Sequence, residues 1–356
     1  MREMIVQNKD KICEAIYKDL RRNKETNMKM EVDGPLQAID YCLSELDEWM
    51  KPQKLDDHQL GKPLVIFEPK GVALVITAWN YPAALAFQPA IEAIAAGKKT
   101  SKFWNLTFSI SGNTVVIKPS EVSPNTSKLL KEMFDATFDK KFIAVVEGAA
   151  PETQALLDQR FDHIFYTGSS SIAKLIMQAA AKNLTPVTLE LGGKCPVVVE
   201  NDADLEKAAL RIAEGKWLNS GQTCLAPDYV MTTAEMKPKL VNALQKSIQT
   251  LYGENPKKSE QYSRMVNQRH FDRVKALLDK TNGKVLYKNG EPDRDDVFIP
   301  PVLVDTDLKD ALMQEEVFGP VLPILTVKGL DEAMDVINDG EKANASRPNI
   351  KINLTL

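Results

Sequence analysis

Val72-Ala73-Leu74-Val75-Ile76, continued by Thr77-Ala78-Trp79-Asn80-Tyr81-Pro82, is the stretch that decides the fold. Five apolar residues with no polar alternation are the pattern of a strand covered on both faces, as strands are in a parallel sheet. Downstream, strand-like and helix-like segments alternate: helix 83–96 closed by Gly97, strand 114–117, helix 125–138, strand 142–146, helix 151–157, strand 163–166 and helix 170–183. The alternation predicts a doubly wound α/β domain, its parallel sheet able to hold a dinucleotide at the strand ends. Upstream, Ile5, Ile12, Ile16 and Leu20 share one helical face, as do Leu36, Ile39, Leu43 and Leu46, so the first fifty residues read as two amphipathic scaffold helices. A polar linker, 51–62, and a strand, 64–67, connect them to the decisive stretch.

After Pro186 the pattern continues with 187–189 and 196–199, helix 204–216, a bend at Cys224, strand 229–232 and two long helices, 237–251 and 259–280, which precede the segments 302–304, 321–327 and 330–338. The expected organisation is a dinucleotide-binding domain over 1–187, a second α/β catalytic domain over 188–340, a divergent tail over 341–356, and an active cleft between the domains.

The totals narrow the function. A chain of 356 residues, 44% hydrophobic and 26% charged, has the composition of an ordinary globular protein. Its net charge of −4 provides no general basic footprint for nucleic acid. Cys13, Cys42, Cys195 and Cys224 are far apart in sequence with no C-x-x-C pair, which argues against a disulfide scaffold or zinc site and for a reducing compartment, the cytoplasm. The apolar region 72–97 is interrupted by Asn80, Pro82, Pro89 and Glu92, short of the roughly 20 uninterrupted residues of a spanning helix, so no membrane anchor is expected. His58, His163 and His270 are scattered and suggest neither a triad nor a metal centre.

Asn219-Ser220-Gly221-Gln222-Thr223-Cys224-Leu225-Ala226-Pro227 places a thiol at a bend, with a glycine three residues before it and Ala-Pro limiting any helix after it. Alone, such a cysteine is usually a small buried hydrophobe. Here it is accompanied by Ala78-Trp79-Asn80-Tyr81-Pro82, Ile117-Lys118-Pro119-Ser120-Glu121, Phe165-Tyr166-Thr167-Gly168, Leu189-Glu190-Leu191-Gly192-Gly193-Lys194 and Gln314-Glu315-Glu316-Val317-Phe318-Gly319-Pro320. In this order and spacing the set resembles the aldehyde dehydrogenase superfamily. Arg160-Phe161-Asp162-His163-Ile164, Leu184-Thr185-Pro186-Val187-Thr188 and Cys224-Leu225-Ala226-Pro227-Asp228-Tyr229 resemble its class 3 or fatty aldehyde branch.

The resemblance implies an oxidoreductase that converts fatty or aromatic aldehydes to acids with NAD, or NADP, as cofactor. Cys224 would add to the carbonyl, the adduct would lose hydride to the nicotinamide, and water would hydrolyse the thioester. A thiol with a pKa of about 8.5 is only slightly ionised at neutral pH and needs electropositive surroundings or a base. Glu190 would be that base and would activate the hydrolytic water; placed between Leu189 and Leu191, it is expected to be buried, with its pKa raised toward neutrality. Asn80 would donate its side-chain N–H to the oxyanion, and Trp79 would line the cofactor site.

Lys118 and Glu121 would hold the adenosine ribose, and a carboxylate there favours NAD over NADP by repelling a 2′-phosphate. Thr167, Gly168 and Ser169 would form the pyrophosphate turn, with Ala173 where a second glycine is usual. The three serines and the helix start offer donors to phosphate. Glu316 would hold the nicotinamide ribose and Phe318 pack beside the ring. Read by themselves, Lys118–Glu121 is a surface ion pair, Glu315-Glu316 a solvated acidic turn, Asn80 a turn residue and Glu190 a paired structural acid. The family partner is a second copy of the chain in a homodimer.

Two departures stand out. Residues 98–112 intervene where the family pattern passes directly from helix to strand; such connections usually take about 2–6 residues. The segment is expected to be either a specificity loop or, the preferred reading, a retained intron, since Gly97-Lys98 can be encoded as GGT-AAG and Ser109-Ile110-Ser111 as a run ending in TTTCAG. Beyond Lys342 the sequence no longer matches the family pattern, so a shortened splice form is expected, with the dimer-pairing strand lost. The N-terminus is expected to start late by about one helix. The alternative to an active enzyme is an inactive isoform that binds nucleotide or a full-length partner; a third reading is cofactor-free ester hydrolysis by Cys224 and Glu190.

Overall fold

The structure, a computed structural model, describes residues 1–56, 61–97 and 112–340. The chain forms two compact units, one of Met1–Asp19 with Lys24–Glu190 and one of Leu20–Asn23 with Leu191–Leu356.

The first unit begins with helix α1 (Arg2–Leu20), which buries Ile5, Ile12, Ile16 and Leu20 as its periodicity predicts. Between it and α2 (Gly34–Trp49) lie a short helix, Lys24–Asn27, and a π-helical turn, Met28–Asp33. The buried stripe of α2 is Pro35, Ile39, Cys42 and Leu46, whereas Leu43, expected on that stripe, is 64% exposed. These opening helices are more than scaffold. Glu31, wholly buried in the π-helical turn, accepts hydrogen bonds from the backbone N–H groups of Ala83 (3.0 Å) and Ala84 (2.7 Å) at the start of α3. That helix has no side-chain N-cap of its own, so a carboxylate from another element satisfies its first donors. Gln53–Lys54 then pairs antiparallel with Leu64–Val65, leaving Ile66 and Phe67, expected in the strand, outside it and exposed.

The decisive stretch is strand β1 (Val72–Ile76), followed by α3 (Ala84–Ala95), β2 (Thr114–Lys118), α4 (Pro124–Thr137), β3 (Ile143–Val145), α5 (Ala150–Leu157), β4 (His163–Gly168), α6 (Ser170–Ala181) and β5 (Val187–Leu191). The sheet order is β3-β2-β1-β4-β5, with β1 central and parallel to β2 and β4. Ala73 to Ile76 are all buried, the two-sided burial that an unbroken apolar run requires. On α3, Ala86, Phe87 and Ala90 are fully buried.

Ile76 pairs with both Lys118 and Tyr166, so the loops that follow β1, β2 and β4 leave the sheet from one edge. The α3–β2 connection carries residues 98–111, which lie outside the described residues. Its two ends meet: a Cβ on Gly97 would fall 2.0 Å from the Asn113 nitrogen. Asn113 pins this point, donating to the Ala93 carbonyl (2.9 Å) and accepting from the Gly71 N–H (2.9 Å).

The second unit contains β6 (Pro196–Val199), α7 (Leu205–Trp217), β7 (Tyr229–Thr232), α8 (Met236–Tyr252), α9 (Gln268–Lys280), β8 (Lys284–Lys288), β9 (Val302–Thr306), β10 (Val321–Thr326) and α10 (Leu330–Asp339). Its sheet runs β8-β9-β10-β7-β6, parallel except for the edge strand β8. The helix expected over 259–280 starts only at Gln268, where Asn267 caps it by accepting from the His270 N–H (3.0 Å). Strand β8, Lys-Val-Leu-Tyr-Lys, escaped the sequence reading because it is short, charged at both ends and largely exposed. Trp217, Leu240, Leu244, Phe298 and Leu322 centre the core. Among the described residues no helix is long and apolar enough to cross a membrane.

Candidate functional site

In the first unit the expected cofactor residues gather at the carboxyl edge of the sheet. Asn80, buried, lies just beyond β1, Lys118 closes β2, and Thr167 and Gly168 close β4. The Lys118 stem is buried; its Nζ donates to the Pro119 carbonyl (3.0 Å) and to exposed Glu121 (3.1 Å), which orders both groups at the strand end. Gly168 is held under Tyr166: a Cβ there would fall 2.2 Å from the Tyr166 hydroxyl, which donates to the Ser169 carbonyl (3.3 Å). Burial pushes the Tyr166 phenol pKa up, which keeps it protonated as a donor. Ser169 precedes α6 in extended conformation without capping the helix by its side chain. Ala173, in the place of the second glycine, is buried within α6. Trp79 is half-buried in the loop after β1.

Glu190 departs from expectation. It is exposed on β5, not buried between its leucine neighbours. Successive strand residues face opposite sides, so flanking leucines that turn inward send the residue between them outward.

In the second unit the motif residues lie at the opposite, amino, ends of the strands. Lys194 and Cys195 precede β6, Cys224 precedes β7, and Glu316 and Phe318 precede β10. Cys224 is half-buried in a turn whose approach is unusual: Asn219, Ser220 and Gly221 all have positive φ, at 53°, 53° and 75°. A Cβ on Gly221 would fall 2.3 Å from the Gly319 carbonyl oxygen, so the backbone of the cysteine turn passes directly against the Glu-Val-Phe-Gly-Pro segment. Trp217 fastens the same two segments by donating Nε1–H to the Pro320 carbonyl (2.9 Å). Gln222, wholly buried, donates to the Asn219 and Arg264 carbonyls (2.9 Å each) and accepts from the Val266 N–H (2.9 Å). Cys195 donates its thiol to the Cys224 carbonyl (3.3 Å).

Beside this turn is a buried polar network. Asp228 accepts from Lys194 through Oδ2 and from the Val317 N–H through Oδ1 (3.0 Å), and Lys216 Nζ lies 4.0 Å from Oδ1. Lys194 also donates to the Leu312 (2.9 Å) and Glu315 (3.1 Å) carbonyls. Arg273 grips the Glu316 (3.2 Å) and Val317 (2.6 Å) carbonyls. Gly192 and Gly193 wrap the Glu316 carboxyl group: a Cβ on Gly192 would fall 2.1 Å from Oε2, and the Gly193 N–H donates to it. Burial, reinforced by Asp228 and opposed by the Gly193 N–H, Lys216 and Arg273, pushes the Glu316 pKa up to about 7. Burial pushes the Lys216 amine down to about 8 against the pull of Asp228.

Comparison with known proteins explains why these residues occur together. Residues 1–347 match the family model described as "Aldehyde dehydrogenase family". The chain is 44% identical over 346 residues to the rat protein "Aldehyde dehydrogenase, dimeric NADP-preferring", covering 96% of this chain and 72% of that protein. It is 44% identical over 342 residues to "Aldehyde dehydrogenase family 3 member H1" of Arabidopsis thaliana, covering 94% and 67%. The structure titled "Substrate bound state of Staphylococcus Aureus AldH" superimposes with a TM-score of 0.88 at 39% identity, covering 95% of this chain and 71% of that one.

The chain belongs to the aldehyde dehydrogenase family.

Its α/β architecture and its class, that of an NAD(P)-dependent aldehyde dehydrogenase, are those of the family. The carboxyl edge of the first sheet fits a dinucleotide on its own evidence. Thr167 Oγ1 is buried with no hydrogen-bond partner, Gly168 keeps the turn open, and the first-turn N–H groups of α6 receive no side-chain cap.

In this aldehyde dehydrogenase, motif reading singled out Cys224, Glu190, Asn80, Trp79, Lys118, Glu121, Thr167, Gly168, Ser169, Ala173, Glu316 and Phe318. It passed over Lys194, Asp228 and Gly192-Gly193, although each stood inside a quoted motif, because their role is to build around Glu316. Lys216 and Glu31 had no such signal, for each reads as an ordinary polar position in a helical segment. Of the histidines, His163 bridges β4 and β5 through Thr188 Oγ1 (3.0 Å), His270 is packed on α9 with its pKa driven down to about 4 by burial, and His58 lies outside the described residues.

Proposed function

We propose that this chain oxidises fatty or aromatic aldehydes to carboxylic acids, with Cys224 as the nucleophile. The observation that carries the reading is the Cys224 turn, a half-buried thiol that follows the left-handed run Asn219–Gly221, itself braced against the Gly319 carbonyl. Such strain persists where the surroundings over-determine it, and it concentrates at working sites.

The Cys224 thiolate adds to the aldehyde carbon, and the carbonyl oxygen takes the negative charge as the tetrahedral adduct forms. The Asn80 amide and the Cys224 backbone N–H donate to that oxygen; losing one such donor typically costs about 10²–10³ in rate. A bound NAD or NADP supplies the hydride acceptor. Lys118 and Glu121 would hold its adenosine ribose, the Thr167-Gly168-Ser169 turn with α6 its pyrophosphate and Glu316 its nicotinamide ribose, and Trp79 and Phe318 would flank it. Glu190 takes a proton from the water that attacks the Cys224 thioester, and the thiol leaves as the acid departs. Glu190 is exposed, so solvent water reaches its carboxylate. The Glu121 carboxylate favours NAD, whereas the rat relative's name states a preference for NADP; the ratio of kcat/KM for the two cofactors decides between them.

The test is rapid mixing of protein, cofactor and a medium-chain aldehyde. The wild type gives a burst of reduced cofactor followed by turnover; Glu190→Gln keeps the burst and loses most of the steady state; Cys224→Ala gives neither. Cofactor binding without a burst in the wild type would favour the inactive-isoform reading, and ester hydrolysis without cofactor would favour the third.

A further inference from the structure

The Cys224 turn has a second sulfur beside it. Cys195, which follows Gly192-Gly193-Lys194 and immediately precedes β6, is only 5% exposed and donates its thiol to the Cys224 carbonyl (3.3 Å). A backbone bond fastens the same neighbourhood: the Asp228 N–H, four residues past Cys224, donates to the Cys195 carbonyl (2.8 Å). Cys13 and Cys42 belong to the other unit, so Cys195 is the one cysteine that shares a unit with Cys224.

The bond to the carbonyl limits how far apart the two residues are. A carbonyl oxygen lies about 2.4 Å from its own Cα, so the Cys195 sulfur is at most about 5.7 Å from the Cys224 Cα. Cys224 stands in a turn between the short helix Leu218–Gly221 and β7, outside any strand or helix. Side-chain rotation with a shift of that turn by about 1–2 Å brings the two sulfurs into bonding range. The two thiols also differ in access. Half-buried Cys224 meets small solutes, whereas Cys195 is sheltered behind it, so an oxidant reaches Cys224 first.

We propose that Cys195 is a resolving thiol for Cys224: a hydroperoxide converts the pair into a Cys195–Cys224 disulfide that thiol reductants reopen. The inference rests on the reading of Cys224 as the nucleophile, since the thiolate that adds to a carbonyl also attacks a peroxide oxygen. In the first step the Cys224 sulfur bonds to one peroxide oxygen, the O–O bond breaks, and the other oxygen leaves with a proton as water or an alcohol. Cys224 is then a sulfenic acid. In the second step the Cys195 sulfur attacks the Cys224 sulfur, the S–O bond breaks, and the departing hydroxide takes the Cys195 proton and leaves as water. The two thiols lose two electrons and the hydroperoxide gains them. Closing the disulfide keeps Cys224 from the sulfinic acid, which thiols do not reduce.

The test exposes reduced wild type, Cys195→Ser, Cys195→Ala and Cys224→Ala to excess hydrogen peroxide, with thermal unfolding as the check on folding. One half of each sample goes to non-reducing peptide mass spectrometry. The other half is treated with dithiothreitol, and the Cys224 thiol is counted by iodoacetamide labelling. Wild type should yield a linked peptide pair joining residues 195 and 224, and dithiothreitol should return most of its Cys224 thiol. Both Cys195 variants should lack the link, accumulate Cys224 sulfinic acid and return about tenfold less thiol. Serine keeps a donor for the Cys224 carbonyl, which secures the result if the alanine variant folds poorly. Cys195 variants that recover as fully as wild type, or wild type that forms sulfinic acid with no 195–224 link, would overturn the proposal while leaving Cys224 as the nucleophile. A Cys224 that neither iodoacetamide nor peroxide modifies would overturn the nucleophile reading itself.

Discussion

A methyl group at Gly221 would sit 2.3 Å from the Gly319 carbonyl, on a residue whose φ is 75°, so Gly221→Ala must either push two backbone segments apart or abandon the left-handed turn. Strain of this kind costs about 1–3 kcal/mol. We expect Gly221→Ala to unfold at lower temperature and to lose most of its turnover; a variant with the melting temperature and kcat of the wild type would show that the turn is not needed. Lys216 carries a cost of the opposite kind. Its amine is pushed from 10.5 to about 8, which lowers folding stability by roughly 3 kcal/mol at pH 7. Because the folded-state pKa is the lower one, the penalty is full below pH 8, shrinks between 8 and 10.5, and vanishes above. Lys216→Met should therefore melt at a higher temperature than wild type at pH 7, with the gain fading as pH rises; a variant that melts lower would contradict the penalty. At this scale the sequence marked the candidate site residues, because each stands in a quotable motif. It was not legible for Lys216, whose burial depends on the packing of α7 against segments far away in the chain.

Strands and helices were the most legible features. Val72–Ile76, Pro196–Val199 and Tyr229–Thr232 fall where unbroken apolar runs placed them, since two-sided burial leaves no polar residue to blur the ends. What periodicity missed were breaks imposed from outside: the π-helical turn that carries Glu31 to α3, the Asn267 cap that delays α9, and the alternation that turns Glu190 outward. The quoted motifs fall at opposite strand ends in the two units, carboxyl in the first and amino in the second. No local pattern states this, because it depends on which loop carries which motif. The meeting of Gly97 with Asn113 belongs to this scale too. Deleting residues 98–112 should leave circular dichroism unchanged and the melting temperature equal or higher, because the α3–β2 joint is already closed. A deletion variant that is insoluble or melts several degrees lower would show that the segment is needed for folding.

For the molecule as a whole, the edge formed by Asn80, Lys118, Thr167 and Gly168 predicts linkage between cofactor and stability. A ligand bound only by the folded state stabilises it by about 2.7 kcal/mol at a hundred times its Kd. NAD or NADP at that excess should raise the melting temperature, and Thr167→Val, which removes the unpartnered hydroxyl, should reduce the rise. Equal shifts in both proteins would remove Thr167 from the cofactor site. The proposed chemistry rests on an acyl group carried by one sulfur. Intact-protein and peptide mass spectrometry of Glu190→Gln, quenched in acid after mixing with cofactor and octanal, reads that sulfur directly. An added octanoyl mass, localised to Cys224 and absent without cofactor, is the expected result. An unmodified Cys224 in protein that has reduced its cofactor would contradict it.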